Sequence, residues 1–373
     1  MIKIGDKVEI SNGYAFKSSK YVEQGIRVVR ITNVQKGEIQ DDNPKFYSSD
    51  TKEELKSYLI NEGDILMSLT GNVGRVGVFP KEYCPAYLNQ RVARIRVKSQ
   101  DLFQKYLFYM LNSEFFERDA IFNSSGIAQL NLSTKWVSEY KIPLPLLDQQ
   151  KKIAAILDAA DAYRQKTKAL IEKYDQLTQS LFLDMFGDPV TNPKGWEKIE
   201  FSNVAINMNS KRIPIKQADR EQMQGDYPYY GATGIVDYIN DFKFDGEFLL
   251  IAEDGKNLVN RKKPIAWTVN GQFWVNNHSH VVKYNGVSNL TFLAFQLNRT
   301  NISQYVTGID QFKMNKSNLN RIPISTPPLT LQNQFAERVQ AIEVQKAQAQ
   351  SSLTQAEDLF NSLLQRAFKG ELV

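Results

Sequence analysis

The sequence contains few of the residues that build metal sites and disulfide bonds. Its 373 residues include one cysteine, Cys84, and two histidines, His278 and His280. A single cysteine excludes an internal disulfide bond and a cysteine-based metal cage. The two histidines stand two residues apart in a predicted strand and would face the same side, as metal ligands do. Because no third ligand accompanies them, we interpret them as ordinary strand residues.

Long apolar stretches are also missing. No run of the sequence approaches the roughly 20 apolar residues that a membrane span needs. The first ten residues, MIKIGDKVEI, are charged from the third position and contain no signal-peptide core. These absences predict a cytoplasmic protein that makes no membrane contact.

The excess of positive charge is small and is confined to two segments. The net charge is +5, and residues 1–147 hold 20 Lys and Arg against 17 Asp and Glu, whereas residues 187–328 hold 16 against 13. The stretches 148–186 and 329–373 carry no such surplus. A surplus this weak does not establish a nucleic-acid partner by itself.

Recognisable catalytic motifs are scarce as well. The glycines of GNVGRVG (71–77) fit neither a dinucleotide fingerprint nor a phosphate-binding loop, so we interpret them as a hairpin turn. The sequence has no tetrapeptide like the N-P-P-Y of amino-methyltransferases. One enzymatic alternative stays open, in which Asp245, Asp254 and Lys256 form a metal-dependent nuclease site with carboxylates around Mg²⁺ and a lysine beside the attacking water.

The chain does contain enough apolar residues for more than one core. Hydrophobic residues make up 42% of it, including 21 Phe and 17 Tyr, and charged residues make up 23%. This composition is typical of folded rather than disordered proteins. The length favours two or more domains.

A segment of the sequence is repeated at an offset of 182 residues. SSGIAQLNLS (124–133) is answered by VTGIDQFKMN (306–315), and the register continues without a gap as far as Phe186 and Phe368. The matched pairs include Gly126 and Gly308, Ile127 and Ile309, Gln129 and Gln311, Pro145 and Pro327, Gln150 and Gln332, and Leu181 and Leu363. Such a register identifies a duplicated unit in which a variable block precedes a similar tail. A loop that is alike in both halves cannot distinguish two targets, so we assign it to backbone positioning or subunit docking.

Both tails are predicted to be long helices. The first helix, at 148–187, begins after the prolines of IPLPLL with Asp148 as its cap and ends at Gly187. The second helix occupies 329–373. Spacings of three and four residues predict a heptad seam in each helix. The first seam is Ile156, Ala160, Tyr163, Thr167, Leu170, Tyr174, Leu177 and Leu181, and the second is Phe335, Val339, Ile342, Lys346, Ala349, Leu353, Ala356, Phe360 or Leu359, and Leu363. The helices would pack on each other either parallel or antiparallel, and an antiparallel pair relates the halves by a pseudo-twofold axis.

The blocks before the helices, 1–147 and 188–328, are predicted to be α/β globules. Their strands include 26–34, 63–79 and 90–97 in the first block and 247–255, 263–269 and 273–284 in the second. Loops rich in Gly, Asn, Ser and Lys join these strands. The fold class is therefore α/β (α+β), with two globular domains separated by two long helices.

Several loop residues in the blocks are suited to contact DNA. Asn and Gln can pair with adenine, Arg can pair with guanine, and Lys can bind phosphate. In the first block the candidates are Thr70, Asn72, Arg75, Asn89, Gln90 and Arg91. In the second block they are Tyr229, Tyr230, Lys256, Asn257, Arg261, Lys262, Lys263, Asn276, Asn277 and His278, where 276–278 takes the place of 89–91.

The whole chain resembles the specificity subunit of type I restriction-modification enzymes. The resemblance rests on IPLPLLDQQKKIAAIL with the helix to LFLDMFGD, on PPLTLQNQF with the helix to LLQRAFKGEL, and on the block motifs. These motifs are GDILMSLTGNVGRVGVF and LNQRVARIRV in the first block, and YPYYGATGIVDYI, FDGEFLLIAEDG and VNNHSHVV in the second. Some relatives have a longer N-terminal extension, whereas this chain begins almost directly at IKIGDKVEI. We therefore expect closure of the two-fold arrangement to rest on the C-terminal segment FKGELV.

The resemblance implies a non-catalytic subunit. Each block would be a target recognition domain that reads one half of a bipartite double-stranded DNA site, and the antiparallel helices would set the unread spacer. Two methyltransferase subunits would dock on the chain and supply the S-adenosylmethionine chemistry, and a restriction subunit would use ATP and Mg²⁺. No cofactor or metal would bind to this chain. A free-standing repressor-like DNA binder remains a further alternative.

Overall fold

The structure, a computed structural model, describes residues 1–126 and 129–372. The chain forms two compact units, and each contains one globular block and parts of both long helices. Unit 1 comprises Met1–Lys168 and residues 351–372, and unit 2 comprises Ala169–Gln350. The sequence-based division at residues 147, 187 and 328 stays a prediction.

Unit 1 contains ten short strands and three short α-helices among its described residues, together with the first part of a long helix. The strands are β1 (Ile2–Lys3), β2 (Val8–Asn12), β3 (Ile26–Val29), β4 (Phe46–Tyr47), β5 (Leu59–Ile60), β6 (Ile65–Ser68), β7 (Val76–Val78), β8 (Ala86–Leu88), β9 (Val92–Val97) and β10 (Lys141–Ile142). The helices are α1 (Gln104–Leu111), α2 (Glu114–Phe122), α3 (Thr134–Glu139) and α4 (Leu147–Phe186), and α4 continues into unit 2.

Unit 2 repeats this plan. Its strands are β11 (Lys198–Glu200), β12 (Ala205–Asn207), β13 (Gln224–Gly231), β14 (Gly234–Ile239), β15 (Phe244–Asp245), β16 (Phe248–Ala252), β17 (Ala266–Val269), β18 (Gln272–Val275), β19 (Ser279–Tyr284) and β20 (Pro323–Ser325). Its helices are α5 (Gln217–Arg220), α6 (Asn257–Asn260), α7 (Leu290–Arg299), α8 (Lys316–Asn320) and α9 (Leu329–Lys369), and α9 continues into unit 1.

The two blocks have the same sheet topology. Unit 1 has sheets in the order β2-β9-β6-β7 and β4-β3-β8-β5, and unit 2 has β12-β19-β16-β17 and β14-β13-β18-β15. The parallel pair β3–β8 has its counterpart in the parallel pair β13–β18. The antiparallel ribbon β1–β10 corresponds to β11–β20. The internal repeat therefore covers the blocks as well as the tails, although their sequences differ almost everywhere.

The two long helices run antiparallel within each unit. In unit 1 the Arg164 guanidinium lies 4.6 Å from the centre of the Phe360 ring, and Lys168 pairs with Glu357, so the residue numbers run in opposite directions. In unit 2 Asp175 pairs with Lys346. About two turns further along α4, Phe182 packs edge-on against Phe335. The antiparallel alternative is confirmed in both units.

The predicted seam is correct for α9 and half wrong for α4. In α9 the buried residues include Phe335, Val339, Ala349, Leu353 and Ala356, and Phe360 rather than Leu359 takes the next position. In α4 the predicted seam residues Ile156, Tyr163, Leu170 and Leu177 are exposed.

Polar residues help to form the inward face of α4, where Thr167 belongs to the predicted seam and Arg164 and Thr178 do not. Thr167 and Thr178 are buried because each hydroxyl donates to a backbone carbonyl of the preceding turn. Arg164 is accommodated by Asp161, 2.5 Å away, and by the Phe360 ring. These partners offset the cost of burying polar groups, and the hydrophobic pattern alone does not reveal them.

The predicted strand 273–284 is two strands. β18 ends at Val275 and β19 begins at Ser279, with a turn at 276–278 between them. The turn forms because the Asn276 side chain accepts a hydrogen bond from the His278 backbone N–H, at 2.8 Å. His278 is therefore exposed in a turn, whereas His280 is buried in β19. The two histidines do not face the same side as the strand prediction required.

Each long helix starts at a buried glutamine that the repeat has in common. The Gln150 amide donates to the carbonyls of Asp101 and Pro145 and accepts from the Phe103 N–H, all at 2.8 Å. Gln332 in unit 2 donates to Pro327 and accepts from Ser288 and Asn289. Both side chains are fully buried. The repeated glutamine thus ties the start of each helix to the globular block before it.

In the described part of the chain, no helix combines enough length with enough apolar residues to cross a membrane.

Candidate nucleic-acid interface

The predicted DNA-contacting loops meet at the end of one strand in each unit. In unit 1 the Leu69 N–H, just after β6, donates to the Arg91 carbonyl at 2.9 Å. In unit 2 the Glu253 N–H, just after β16, donates to the His278 carbonyl at 2.9 Å. Residues 89–91 and 276–278 thus occupy equivalent turns, as their order in the sequence indicated. Asn89 and Asn276 also shape these turns alike, since each side chain accepts from the backbone N–H two residues on.

The repeated loop lies against the same strand ends. In unit 1 the Gly71 N–H donates to the Leu130 carbonyl, and in unit 2 the Gly255 N–H donates to the Phe312 carbonyl. The flanking bonds match as well, from Leu132 N–H to the Leu69 carbonyl and from Met314 N–H to the Glu253 carbonyl. Ile127 of the repeated loop lies outside the described residues. Each unit therefore groups three segments, namely a strand end, a turn and a hairpin made by the repeated loop.

In unit 1 three of the predicted contact residues are exposed at this place. Asn72, Gln90 and Arg91 face solvent. Thr70 is buried, and its hydroxyl donates to the Asn131 side chain at 3.0 Å, which fastens the strand end to the repeated loop. Asn89 is buried and shapes the turn. The half-buried Arg75 is engaged by Gln35, at 2.9 Å.

In unit 2 the exposed residues at the equivalent place are Lys256, Asn277 and His278. The His278 Nδ1 lies 2.6 Å from the Asp254 carboxylate, so the turn is linked to the strand end by side chains as well as by backbone. Asn276 is half-buried and shapes the turn. The corresponding positions in unit 1 carry Asn72, Gln90 and Arg91, and the two units thus offer different side chains on the same backbone frame.

The remaining candidates of unit 2 lie elsewhere or have structural partners. Tyr229 is buried, its hydroxyl accepts from the Ile215 N–H at 3.0 Å, and the Arg220 guanidinium covers its ring. Tyr230 is half-buried and packs edge-on against Phe273, and its burial raises its pKa. The sequence shows that both tyrosines precede Gly231, but it does not show that their rings are packed against other side chains of the unit.

The basic cluster 256–263 divides into structural and exposed members. The Asn257 side chain closes the loop through hydrogen bonds with the backbone of Lys263. The backbone of Arg261 has a left-handed conformation, and its guanidinium donates a hydrogen bond to the Thr300 carbonyl at 2.6 Å. Burial lowers the pKa of this guanidinium. Lys262 and Lys263 are exposed and line a groove of about 1200 Å³ along β17 and α7. The groove also carries Glu247, Glu337 and Glu343 from the same unit.

A buried ionic network that the sequence did not reveal supports the interface of unit 2. The Arg212 Nη1 donates to the Glu253 carboxylate and to the Ser279 carbonyl, both at 2.7 Å. The His280 Nδ1 lies 3.6 Å from the Glu253 carboxylate, and the Lys313 Nζ lies 3.4 Å from it. Arg212 stands 41 residues before Glu253 in an irregular segment, so no spacing rule connects the two.

The network fixes the charge of its members. Burial opposes the charge of Glu253, but the hydrogen bond from Arg212 and the nearby positive groups outweigh it and lower the pKa of this carboxyl. Burial lowers the pKa of His280, against the pull of the Met314 carbonyl and of Glu253. His280 is then neutral, with Nε2–H donating to the Met314 carbonyl and Nδ1 accepting from Asn209. Its tautomer follows from these two partners.

Acidification is expected to weaken unit 2 through His280. In the unfolded chain the histidine takes up a proton around its ordinary pKa of 6.5, while the buried imidazole resists it. The stabilisation that His280 gives to the folded state is complete above that pKa and is lost as the pH falls below it. Between about pH 7.5 and about pH 5.5 the unfolding free energy should drop by about 1 kcal/mol. Urea unfolding of the wild type and of His280→Gln at both pH values measures this drop. An equal drop in the variant would contradict its assignment to His280.

The residues of the nuclease alternative are not brought together. Asp254 follows the C-terminal end of β16, and Asp245 precedes its N-terminal end, where it accepts from Gln272. The five residues of β16 span about 16 Å at about 3.3 Å each. Two carboxylates this far apart cannot share one Mg²⁺. In residues 1–126 and 129–372, no group of three or more His, Cys, Asp and Glu side chains could hold a metal ion.

The duplicated frame and the antiparallel helices define a class of proteins that present one fold twice beside a pair of long helices. The family model for the type I restriction modification DNA specificity domain matches residues 1–173 and 193–354, and the chain belongs to this family.

Two relatives and one solved structure are similar to the chain. A putative type I restriction enzyme specificity subunit of Haemophilus influenzae is 37% identical over 147 residues, which cover 39% of this chain and 37% of that protein. The MjaVIII specificity subunit of Methanocaldococcus jannaschii is 31% identical over 190 residues, covering 49% and 45%. The matches thus span less than half of these relatives. The S subunit structure from M. genitalium has the same fold, with a TM-score of 0.59, 15% identity and coverage of 98% and 95%.

Proposed function

We propose that this chain is the non-catalytic DNA-recognition subunit of a type I restriction-modification complex. Unit 1 reads one half of a bipartite double-stranded site, and unit 2 reads the other half. The reading residues are the exposed ones at the strand ends, namely Asn72, Gln90 and Arg91 in unit 1 and Lys256, Asn277 and His278 in unit 2.

One observation carries this proposal. The two units hold equivalent turns by equivalent backbone hydrogen bonds, yet their exposed side chains differ. Arginine and lysine can pair with guanine, and amides can pair with adenine. Two units that bind different half-sites need the same backbone frame with different exposed side chains.

The long helices supply the surface on which two methyltransferase subunits dock. α4 exposes Ile156 and Tyr163 in unit 1, and Leu170 and Leu177 in unit 2. Within each pair the spacing of seven residues places both side chains on one face of the helix. Apolar side chains left in water on one helix face are typical of an interaction site. These two pairs, the unused part of the predicted seam, support docking of a partner on the helix part of each unit.

The chemistry resides in the partners. The methyltransferase subunits bind S-adenosylmethionine and methylate adenine in each half-site, and the restriction and translocase subunits use ATP and Mg²⁺. The chain itself takes no cofactor and works in the cytoplasm. A free-standing repressor would bind its site without any methyltransferase, which gives the two functions different outcomes in the same test.

Methylome sequencing of a host that expresses the chain with its methyltransferase subunits tests the proposal. The expected result is adenine methylation in one bipartite motif with an unread gap. If the purified chain bound a bipartite site tightly and never associated with a methyltransferase subunit, the repressor function would replace it. Metal-dependent cleavage by the chain alone, abolished by Asp254→Ala, would establish the nuclease.

Inserting about four residues, close to one helical turn, near Ala169 of α4 is expected to lengthen the unread gap. Both half-site sequences should stay the same, because the turns that read them are untouched. The methylome of the insertion variant measures the gap directly. A changed half-site sequence would contradict the assignment of the helices as the spacer.

A further inference from the structure

The repeated loop of unit 2 is a hairpin with a firmly held base and a projecting tip. Thr307 and Lys313 exchange two backbone hydrogen bonds of 2.8 Å across the base. Phe312 and Met314 bond to the backbone of Gly255 and Glu253, so the base continues the edge of the strand end. The four tip residues, 308–311, are all exposed. The hairpin therefore presents its tip beside the side chains that we assign to the second half-site.

Glycine sets the shape of the tip in both units. Gly308 has φ +94°, and a Cβ at this position would lie 2.2 Å from the Gln311 carbonyl oxygen. Gly126 has φ +107°, and its Cβ would lie 2.3 Å from the Gln129 carbonyl oxygen. An L-residue would meet both a disfavoured backbone conformation and a backbone clash. The same glycine conformation and the same close approach to a glutamine carbonyl thus occur in both units.

Ile309 stands at the tip with its side chain in water. It is 90% exposed, compared with 49% for Ile206, an exposed isoleucine in β12 of the same unit. Burying an isoleucine stabilises a fold by about 1.5–3 kcal/mol, and this side chain contributes none of it. Ile127 has the same place in the repeated sequence of unit 1, although it lies outside the described residues. An isoleucine that the fold does not use is available to a ligand.

The surroundings of the tip indicate DNA as that ligand. Lys313 is half-exposed at the base of the hairpin, and the exposed Lys256 follows the strand end to which the hairpin is bonded. The exposed Asp310 at the tip would be repelled by phosphate, so the two lysines and not the tip itself would contact the DNA backbone. An aliphatic side chain between basic groups has the composition of the wedges that enter base stacks from a groove.

We propose that Ile309 is a wedge that inserts between two base pairs of the half-site bound by unit 2. The insertion unstacks one step and bends the duplex around the reading turns. The inference rests on the proposed function, because it requires that unit 2 binds DNA. It goes further by assigning the repeated hairpin to local deformation of the DNA rather than to sequence readout or subunit docking.

Fluorescence of 2-aminopurine tests the wedge. The probe is a duplex with the methylated motif, carrying 2-aminopurine in turn at each position of the half-site except the methylated adenine. The full chain, assembled with its methyltransferase subunits, should raise the fluorescence several-fold at one step. Ile309→Ala should abolish this rise and weaken binding about tenfold, as the loss of one good base contact does. Ile309→Leu should retain both, and the matched control Ile206→Ala should behave like the wild type.

Three results would overturn the wedge. The first is an unchanged fluorescence profile in Ile309→Ala. The second is loss of copurifying methyltransferase subunits in that variant, which would assign the tip to a protein partner. The third is failure of the wild-type complex to prefer any bipartite duplex, and this result would overturn the proposed function together with the wedge. The first two results leave the proposed function intact, so a failure of the wedge can be distinguished from a failure of the proposed function.

Discussion

Replacing Gln150 by alanine is expected to lower the unfolding free energy of unit 1 by about 3 kcal/mol, since the fully buried side chain makes three hydrogen bonds that would be lost at about 1 kcal/mol each. The Phe103 N–H and the carbonyls of Asp101 and Pro145 would lose this partner. These groups tie the loop before α1 to the start of α4. Urea unfolding of the full chain, followed by hydrogen exchange of peptides from α1 and β9, measures the loss and locates it.

The neighbouring Gln149 offers a matched control. Its side chain accepts one hydrogen bond, from the Leu146 N–H, and is only partly buried. Gln149→Ala should therefore cost well under about 1 kcal/mol. Gln332→Ala in unit 2 should repeat the effect of Gln150→Ala, because its contacts are equivalent. Equal stability of Gln149→Ala and Gln150→Ala would show that the repeated glutamine is not a structural clamp.

Arg212→Ala is expected to destabilise unit 2 by about 3–5 kcal/mol, which is the usual cost of leaving a buried charge without its partner. The Glu253 carboxylate would keep only the half-exposed Lys313 as a charged partner beside a neutral His280. The Ser279 carbonyl next to the reading turn would lose its donor too. Hydrogen exchange of β16 and β19 in the full chain reports this loss. The exposed neighbour Lys211, changed to alanine, should stay within about 0.5 kcal/mol of the wild type.

A double variant separates stability from reading. Arg212→Met with Glu253→Leu removes both charges and should recover most of the lost stability. It should not recover methylation of the second half-site, because the turn at 276–278 would still lack the hydrogen bonds from Arg212. Recovery of both properties would mean that the network only stabilises the fold and does not position the turn.

The long helices could be predicted because their signals are local. Prolines before Leu147 and Leu329 and a glycine after Phe186 mark their ends, and the seam of α9 follows from its apolar residues. The seam of α4 could not be predicted in full, because Thr178 is buried and Arg164 is half-buried through specific partners. Arg164 needs the ring of Phe360, which is distant in sequence. Hydrophobicity is a reliable guide to a helix face only where polar residues lack such partners.

The candidate site could be predicted at the level of segments but not of side chains. The order of strands and loops was enough to equate 89–91 with 276–278, and backbone hydrogen bonds confirm that equivalence. Burial depends on the tertiary fold, so the structural roles of Thr70 and Tyr229 were not visible. The likeness of the two blocks was largely hidden for the same reason. Their shared topology rests on backbone pairing, which many different side chains permit.

The central claim is that each unit reads its own half-site through its own turn. Methylome sequencing of hosts that express the chain with its methyltransferase subunits, carrying either Arg91→Ala or His278→Ala, tests it most directly. Arg91→Ala should relax or change only one half of the motif, and His278→Ala only the other half, with about tenfold less methylation of the original site, as a lost base contact predicts. The unread gap should stay the same in both variants. A single substitution that alters both halves, or two substitutions that alter the same half, would contradict the claim.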